Sequence, residues 1–140
     1  MKEYISGWEA LNIPNEKGLV ADWHPLCFLS NKDNVKKYKY NEILGNKGIK
    51  KRFIPMLNRD EYVASFARAI ADLVYMKEFT GLKNCVRDYL DDEDEKELFG
   101  YLKSINFNKE VDDFMKYELT KLYFADKALF WWQRMIMLEE

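Results

Sequence analysis

Few residues in this chain have the types and spacing that could do chemistry. His24 is the sole histidine, and Cys27 stands three residues after it in "ADWHPLC". An imidazole and a thiol so placed could begin a metal site or a Cys–His nucleophile. A metal site needs three or four ligands, and nothing in the sequence completes this pair. A nucleophile would have to recruit Cys27 or Cys85, and neither carries a local signature. "DWHP" therefore reads as a packed corner, with Trp23 buried and the imidazole bonded to backbone. The acidic run Asp91 to Glu95 lacks the alternating ligands, central glycine and distant glutamate of a calcium loop. It reads as a helix start, where the helix dipole favours carboxylates.

"ILGNKGIKKRF", residues 43–53, presents Gly-x-x-Gly followed by bases. KH domains clamp a nucleic-acid backbone with a similar loop. In that loop a buried aliphatic residue stands three positions after the second glycine, and here the position is Lys51. Asn and Gly tolerate positive φ, so "GNKG" is read as a turn. The chain contains no P-loop, no dinucleotide fingerprint, no paired histidines and no Gly-x-Ser-x-Gly. The Arg-x4–6-His pair of HEPN ribonucleases is ruled out because His24 precedes every arginine. The expectation is a protein that is not an enzyme and uses no cofactor or metal.

Composition agrees with a binding role. A chain of 140 residues suits one domain spanning 1–140, and 48% apolar residues with 16% aromatics are ample for a core. The net charge of −2 is too small for a general nucleic-acid or membrane-surface binder. Charge is unevenly placed, with nine bases against two acids from Asn31 to Arg59 and seven acids against one base from Asp88 to Glu97. These read as two solvated faces. Two cysteines give no disulfide framework, the start has no apolar run of signal-peptide length, and no stretch has the ~20 apolar residues of a membrane span. The expected location is the cytoplasm, with reduced thiols.

The elements that must position these residues divide near residue 57. Pro14, Pro25 and Pro55 all lie before it, so the first third should be short helices, a hairpin or irregular packing. Beyond it the pattern turns helical. Asn58 with Glu61 resembles a capping box for a helix carrying Val63, Phe66, Ala67, Ile70 and Val74 at helical spacing. A second stripe, Tyr62, Ala69, Leu73 and Met76, makes that helix apolar over a wide arc, hence central. "TGLKNCVRDYL" reads as the next helix, Asp91 and Asp92 open a third, and Asn108 caps a fourth and longest one running towards Leu138. The fold class is mainly α, a helical bundle of about four C-terminal helices with an irregular N-terminal third of short elements.

Two features on these helices are candidate partner-binding residues. Arg68 and Asp72 lie one turn apart on the only polar stripe of the first helix, after Glu61 and Ser65. They form either an intrahelical ion pair or a charge pair that faces a partner or braces the N-terminal third. In the last helix Ala125, Leu129, Trp132 and Ile136 continue a core stripe, while Phe124, Ala128, Trp131 and Met135 form a second stripe beside it. Either Trp8 and Trp23 cover that second stripe, or Phe124, Trp131 and Met135 face a partner protein or a second copy of the chain.

"YISGWEALNIP" at 4–14, "ADWHP" at 21–25, "ILGNKGI" at 43–49 and "FARAIADLV" at 66–74 together resemble a small bacterial family. Its members are encoded beside nucleotidyltransferase-like toxins of the abortive-infection type. The resemblance covers the first two-thirds of the chain and carries no catalytic signature. It implies an antitoxin or accessory role through protein–protein contact. A phage or mobile-element inhibitor of a host defence system fits the composition as well. A nucleic-acid binder using residues 36–52 is the third reading, and its affinity would fall steeply with salt.

Overall fold

The computed structural model describes residues 3–21 and 34–139. Trp23, His24 and Cys27 lie outside the described residues, so the packed corner expected there is outside them too. The described chain is mainly helical, with two small antiparallel sheets. Strand β1 (Glu3–Tyr4) pairs with β2 (Tyr38–Lys39), and helix α1 (Gly7–Leu11) follows β1. Strands β3 (Ile49–Ile54) and β4 (Arg59–Ala64) form a hairpin in which Ile49 faces Ala64 and Ile54 faces Arg59. Ile5 ties the chain start to this hairpin: its amide donates to the Tyr62 carbonyl at 2.8 Å, and its carbonyl accepts from the Ala64 amide at 2.9 Å.

The hairpin corrects the first expected helix. Asn58 is not an N-cap but the last residue of the β3–β4 turn, at φ 54° after Pro55. Proline presets the turn and asparagine accepts the left-handed conformation. Tyr62 and Val63, counted as helical, lie in β4. Their side chains suit a strand, and β3 supplies the hydrogen-bonding partner that no local pattern reveals. The helix begins one strand later. In α2 (Phe66–Tyr75) the Ser65 hydroxyl caps the N-terminus by accepting from the Arg68 amide at 3.1 Å. Every residue from Phe66 to Val74 is buried. Ala67, Ala69 and Ala71 let α1 and the later helices close on it, so its central place agrees with its wide apolar arc.

Next come α3 (Cys85–Tyr89) and α4 (Asp92–Ser104). Asp91 caps α4 through a capping box with Asp94, which accounts for the acidic run as a helix start. Helix α5 (Lys109–Glu118) starts at the expected cap, where the Asn108 side chain accepts from the Val111 amide at 3.0 Å. It does not run on as one helix. Leu119 leaves helical geometry at ψ 42°, and α6 (Thr120–Glu139) begins after it. The Thr120 hydroxyl donates to the carbonyls of Lys116 at 2.9 Å and Tyr117 at 3.2 Å, the kind of side-chain competition that bends helices. Five helical segments therefore follow residue 65 where about four were expected.

Candidate functional site

Two places collect the candidate residues, one inside the fold and one outside it. The inner one is built on Arg68 and Asp72, both buried. Arg68 Nε donates to Asp72 Oδ1 at 2.9 Å. Asp72 Oδ2 accepts from the Tyr4 hydroxyl at 2.8 Å and from the Ser6 hydroxyl at 2.7 Å. The remaining Arg68 donors reach the Tyr4 oxygen at 3.0 Å and the carbonyls of Leu44 and Lys47. The pair thus clamps the chain start and the 44–47 loop onto α2. The intrahelical ion pair forms as one of the expected alternatives, and the same pair braces the N-terminal third. A partner-facing role for Arg68 and Asp72 is corrected by their burial.

The glycine loop explains itself through the same clamp. Residues 42–48 form a turn, with Gly45 at φ 53° and Gly48 at φ 74°. Its carbonyls point inward at a guanidinium, whereas a phosphate clamp needs main-chain amides aimed outward. Gly48 is required twice over. Its φ is left-handed, and a Cβ there would lie 2.9 Å from the Arg68 Cβ and 2.7 Å from the Tyr101 hydroxyl. Tyr101 and Ser65 both donate to Glu97 Oε2 at 2.7 Å, so that oxygen is already held in place. Gly48→Ala is expected to lower unfolding free energy by about 2 kcal/mol in urea titration. An unchanged midpoint would show that the clamp tolerates the methyl group.

The basic stretch is largely occupied within the fold. Lys50 pairs with Glu16 at 3.3 Å, Arg52 donates to the Pro14 carbonyl at 2.9 Å, and Lys51 lies over the Tyr62 ring. Lys37 and Arg59 both bind Glu61. Burial opposes the charge on Glu61, but these two cations outweigh it and hold its carboxyl below the usual range. The stability this contributes is present above the unfolded carboxylate pKa and is lost as pH falls through the lower, folded one. Glu61→Gln should therefore be less stable than the parent at pH 7, and the gap should close as acid titrates the carboxylate. A gap that persists unchanged into strong acid would rule out the ionic origin.

Two clefts flank the body. One, of about 330 Å³, runs between the hairpin and the start of α4 and is lined by Lys17, Lys50, Arg52, Asp91 and Glu93. Its opposite charges partly satisfy each other, as in Lys17 with Asp91 at 3.4 Å. The other, of about 460 Å³, lies between Phe79, Leu82, Phe114 and Tyr117, with Glu110 and Asp113 at its rim. Cys85 is buried, and burial together with the neighbouring Glu118 pushes its thiol up, so it is no thiolate nucleophile.

The outer place is α6. Its first turns are docked: Leu122 and Tyr123 pack on the core, Tyr123 donates to Asp112 at 2.9 Å, and Asp126 pairs with Lys103 at 2.9 Å. Past Asp126 the helix leaves the body, and every residue from Lys127 to Met137 is exposed. Trp131 and Trp132 are each 62% exposed, Met135 55% and Phe124 50%. This corrects the core stripe: Leu129, Trp132 and Ile136 are exposed, as the residues beside them are. The contacts with the body stop at Asp126, so the helix from Lys127 to Met137, about 16 Å long, finds no cover among the described residues. Trp8 does not cover it either, because its ring lies against the turn at Gly81.

Sequence reasoning missed Tyr4 and Ser6, the brace partners 68 and 66 residues away from Asp72. Nothing local marks either one. Comparison with protein-family models, with curated proteins and with solved structures finds no match.

Proposed function

We propose that this chain acts by binding another protein through α6, and that the partner is the nucleotidyltransferase-like toxin encoded beside members of the family it resembles. One observation carries the binding role: eight large apolar side chains of α6 are exposed, seven of them past Asp126, where nothing in the described chain covers the helix. A monomer's largest apolar patch is about 300–600 Å² and is often functional. Most helical stability in proteins comes from packing of the apolar face, which the stretch past Asp126 lacks within the described chain. Phe124, Trp131 and Met135 are the anchors, with Lys127 and Arg134 beside them. They call for a groove with an apolar floor and a carboxylate rim. The helical bundle is then completed across the interface, with α6 as its central element.

The test is co-expression with the adjacent toxin in a host that the toxin arrests. The parent chain should restore growth and co-purify with the toxin, and Trp131→Ala with Met135→Ala should do neither while remaining folded. Full rescue by the double variant would remove α6 from the function.

The basic stretch is not the binding element in this reading, since most of its cations already have partners within the fold. A gel shift at physiological salt should show no specific complex with DNA or RNA. Sub-micromolar binding that disappears in Lys47→Glu, Lys50→Glu, Lys51→Glu would reverse this.

A further inference from the structure

The apolar stripes of α6 differ in what flanks them, and the flanks assign them different occupants. Leu122, Ala125, Leu129, Trp132 and Ile136 recur at alternating intervals of three and four, the a and d positions of a heptad. Lys121 flanks Leu122 at the docked end of this seam, and the e and g positions beside its open part are Asp126, Ala128, Gln133 and Met135. Three are uncharged, and Asp126 is already paired with Lys103. Phe124, Ala128, Trp131 and Met135 make a second seam of the same alternation, but its g positions are Lys127 and Arg134.

Flanking charge decides which seam can meet itself. In an antiparallel pair of identical helices, g positions face g positions. Two copies joined through the second seam would set Lys127 against Arg134, and like charges at these positions disfavour pairing. Joined through the first seam, they would bring no like charges together. We infer that the first seam pairs α6 with α6 of a second copy, antiparallel, with Ala128 and Met135 at its border, and leaves Phe124 and Trp131, flanked by Lys127 and Arg134, outside the pairing. This goes beyond the function proposed above, because the toxin would take the face carrying Phe124 and Trp131, with only Met135 at the border of both.

Side-chain size supports the antiparallel direction. In that register Leu129 lies against the second copy's Trp132, and Ala125 against its Ile136, so small meets large. A parallel pair would stack Trp132 on Trp132 and leave Ala125 facing Ala125, crowding one layer and emptying the next. Leu122 is held by the body, so the seam open to a second copy is Ala125, Leu129, Trp132 and Ile136, all exposed. An aromatic side chain carries about 150–250 Å². The open seam and its flanks therefore cover on the order of 500 Å² per copy, near the lower limit for specific association. The dimer is accordingly a weak one, forming in the micromolar range.

Sedimentation velocity on the full chain over a concentration series tests this. The parent should show a reversible monomer–dimer equilibrium. Leu129→Asp and, independently, Ile136→Asp should weaken it about tenfold or more, with helical circular dichroism of the body retained. Trp131→Asp should leave it in place. A parent that stays monomeric throughout the micromolar range would overturn the inference. So would a dimer that survives both aspartates on the first seam and dissolves with Trp131→Asp. Toxin capture is scored separately: a chain that dimerises as described yet captures no toxin sinks the proposed function and leaves the dimer standing.

Discussion

Asp72→Ala is expected to destabilise the fold by about 3–5 kcal/mol, the largest effect of any single substitution considered for this chain. The substitution leaves Arg68 charged and buried, with its Nε–H unpaired, and strips the Tyr4 and Ser6 hydroxyls of the carboxylate oxygen they share. An uncompensated buried cation costs far more than the pair contributed, because desolvation of the guanidinium is no longer offset. Exchanging both partners for apolar residues stabilises some proteins, but should not rescue this one. The Leu44 carbonyl would keep the Lys47 amide, but the Lys47 carbonyl would lose the Arg68 donor, and the Tyr4 and Ser6 hydroxyls would lose the Asp72 oxygen that accepts from both. Urea unfolding of Asp72→Ala, Arg68→Met and the double variant measures this. A loss below about 1 kcal/mol in Asp72→Ala would show that the clamp relaxes and that water enters to solvate Arg68.

Trp131→Ala is expected to weaken partner association by about 2 kcal/mol or more, roughly thirtyfold in affinity, while leaving unfolding free energy nearly unchanged. Both halves follow from position. Trp131 is 62% exposed and lies beyond the last point at which α6 touches the body, so truncation removes little packing from the free chain. In a complex it would fill a pocket as an aromatic anchor, the residue type most often dominant at interface centres. Calorimetric titration against the purified partner gives the first number and thermal unfolding the second. A variant that binds normally would move the interface to another face of α6. A variant that unfolds would mean that α6 is supported by the body, against its exposure.

Much of the helical half was legible in the sequence because its signals are local. Asn108 caps α5 as read and α4 starts at the acidic run as read, since a helix start is marked by side chains that reach only the amides two or three residues ahead. The "GNKG" turn was legible for the same reason, with φ preference written into glycine and asparagine. The central place of α2 followed from its apolar arc, and the second stripe on α6, with Phe124, Trp131 and Met135, was visible in the spacing alone.

What the sequence left undecided depended on residues far apart along the chain. Asn58 to Val63 carry a helix-start pattern, and only pairing with Ile49 to Ile54 makes them a turn and a strand. Arg68 and Asp72 look the same as a solvent-exposed i, i+4 pair or a buried clamp until Tyr4, Ser6 and the 44–47 loop close over them. Leu129 and Ile136 read as core because apolar periodicity records which residues need covering and not what covers them. Whether cover exists depends on where the neighbouring elements end, and among the described residues the contacts of the body with α6 stop at Asp126. Composition and periodicity thus determined the helical class, the caps, the turn and the apolar surfaces. Burial of the ionic brace and exposure of the last helix were decided by tertiary structure, because both are set by contacts between segments that carry no sequence signal of one another.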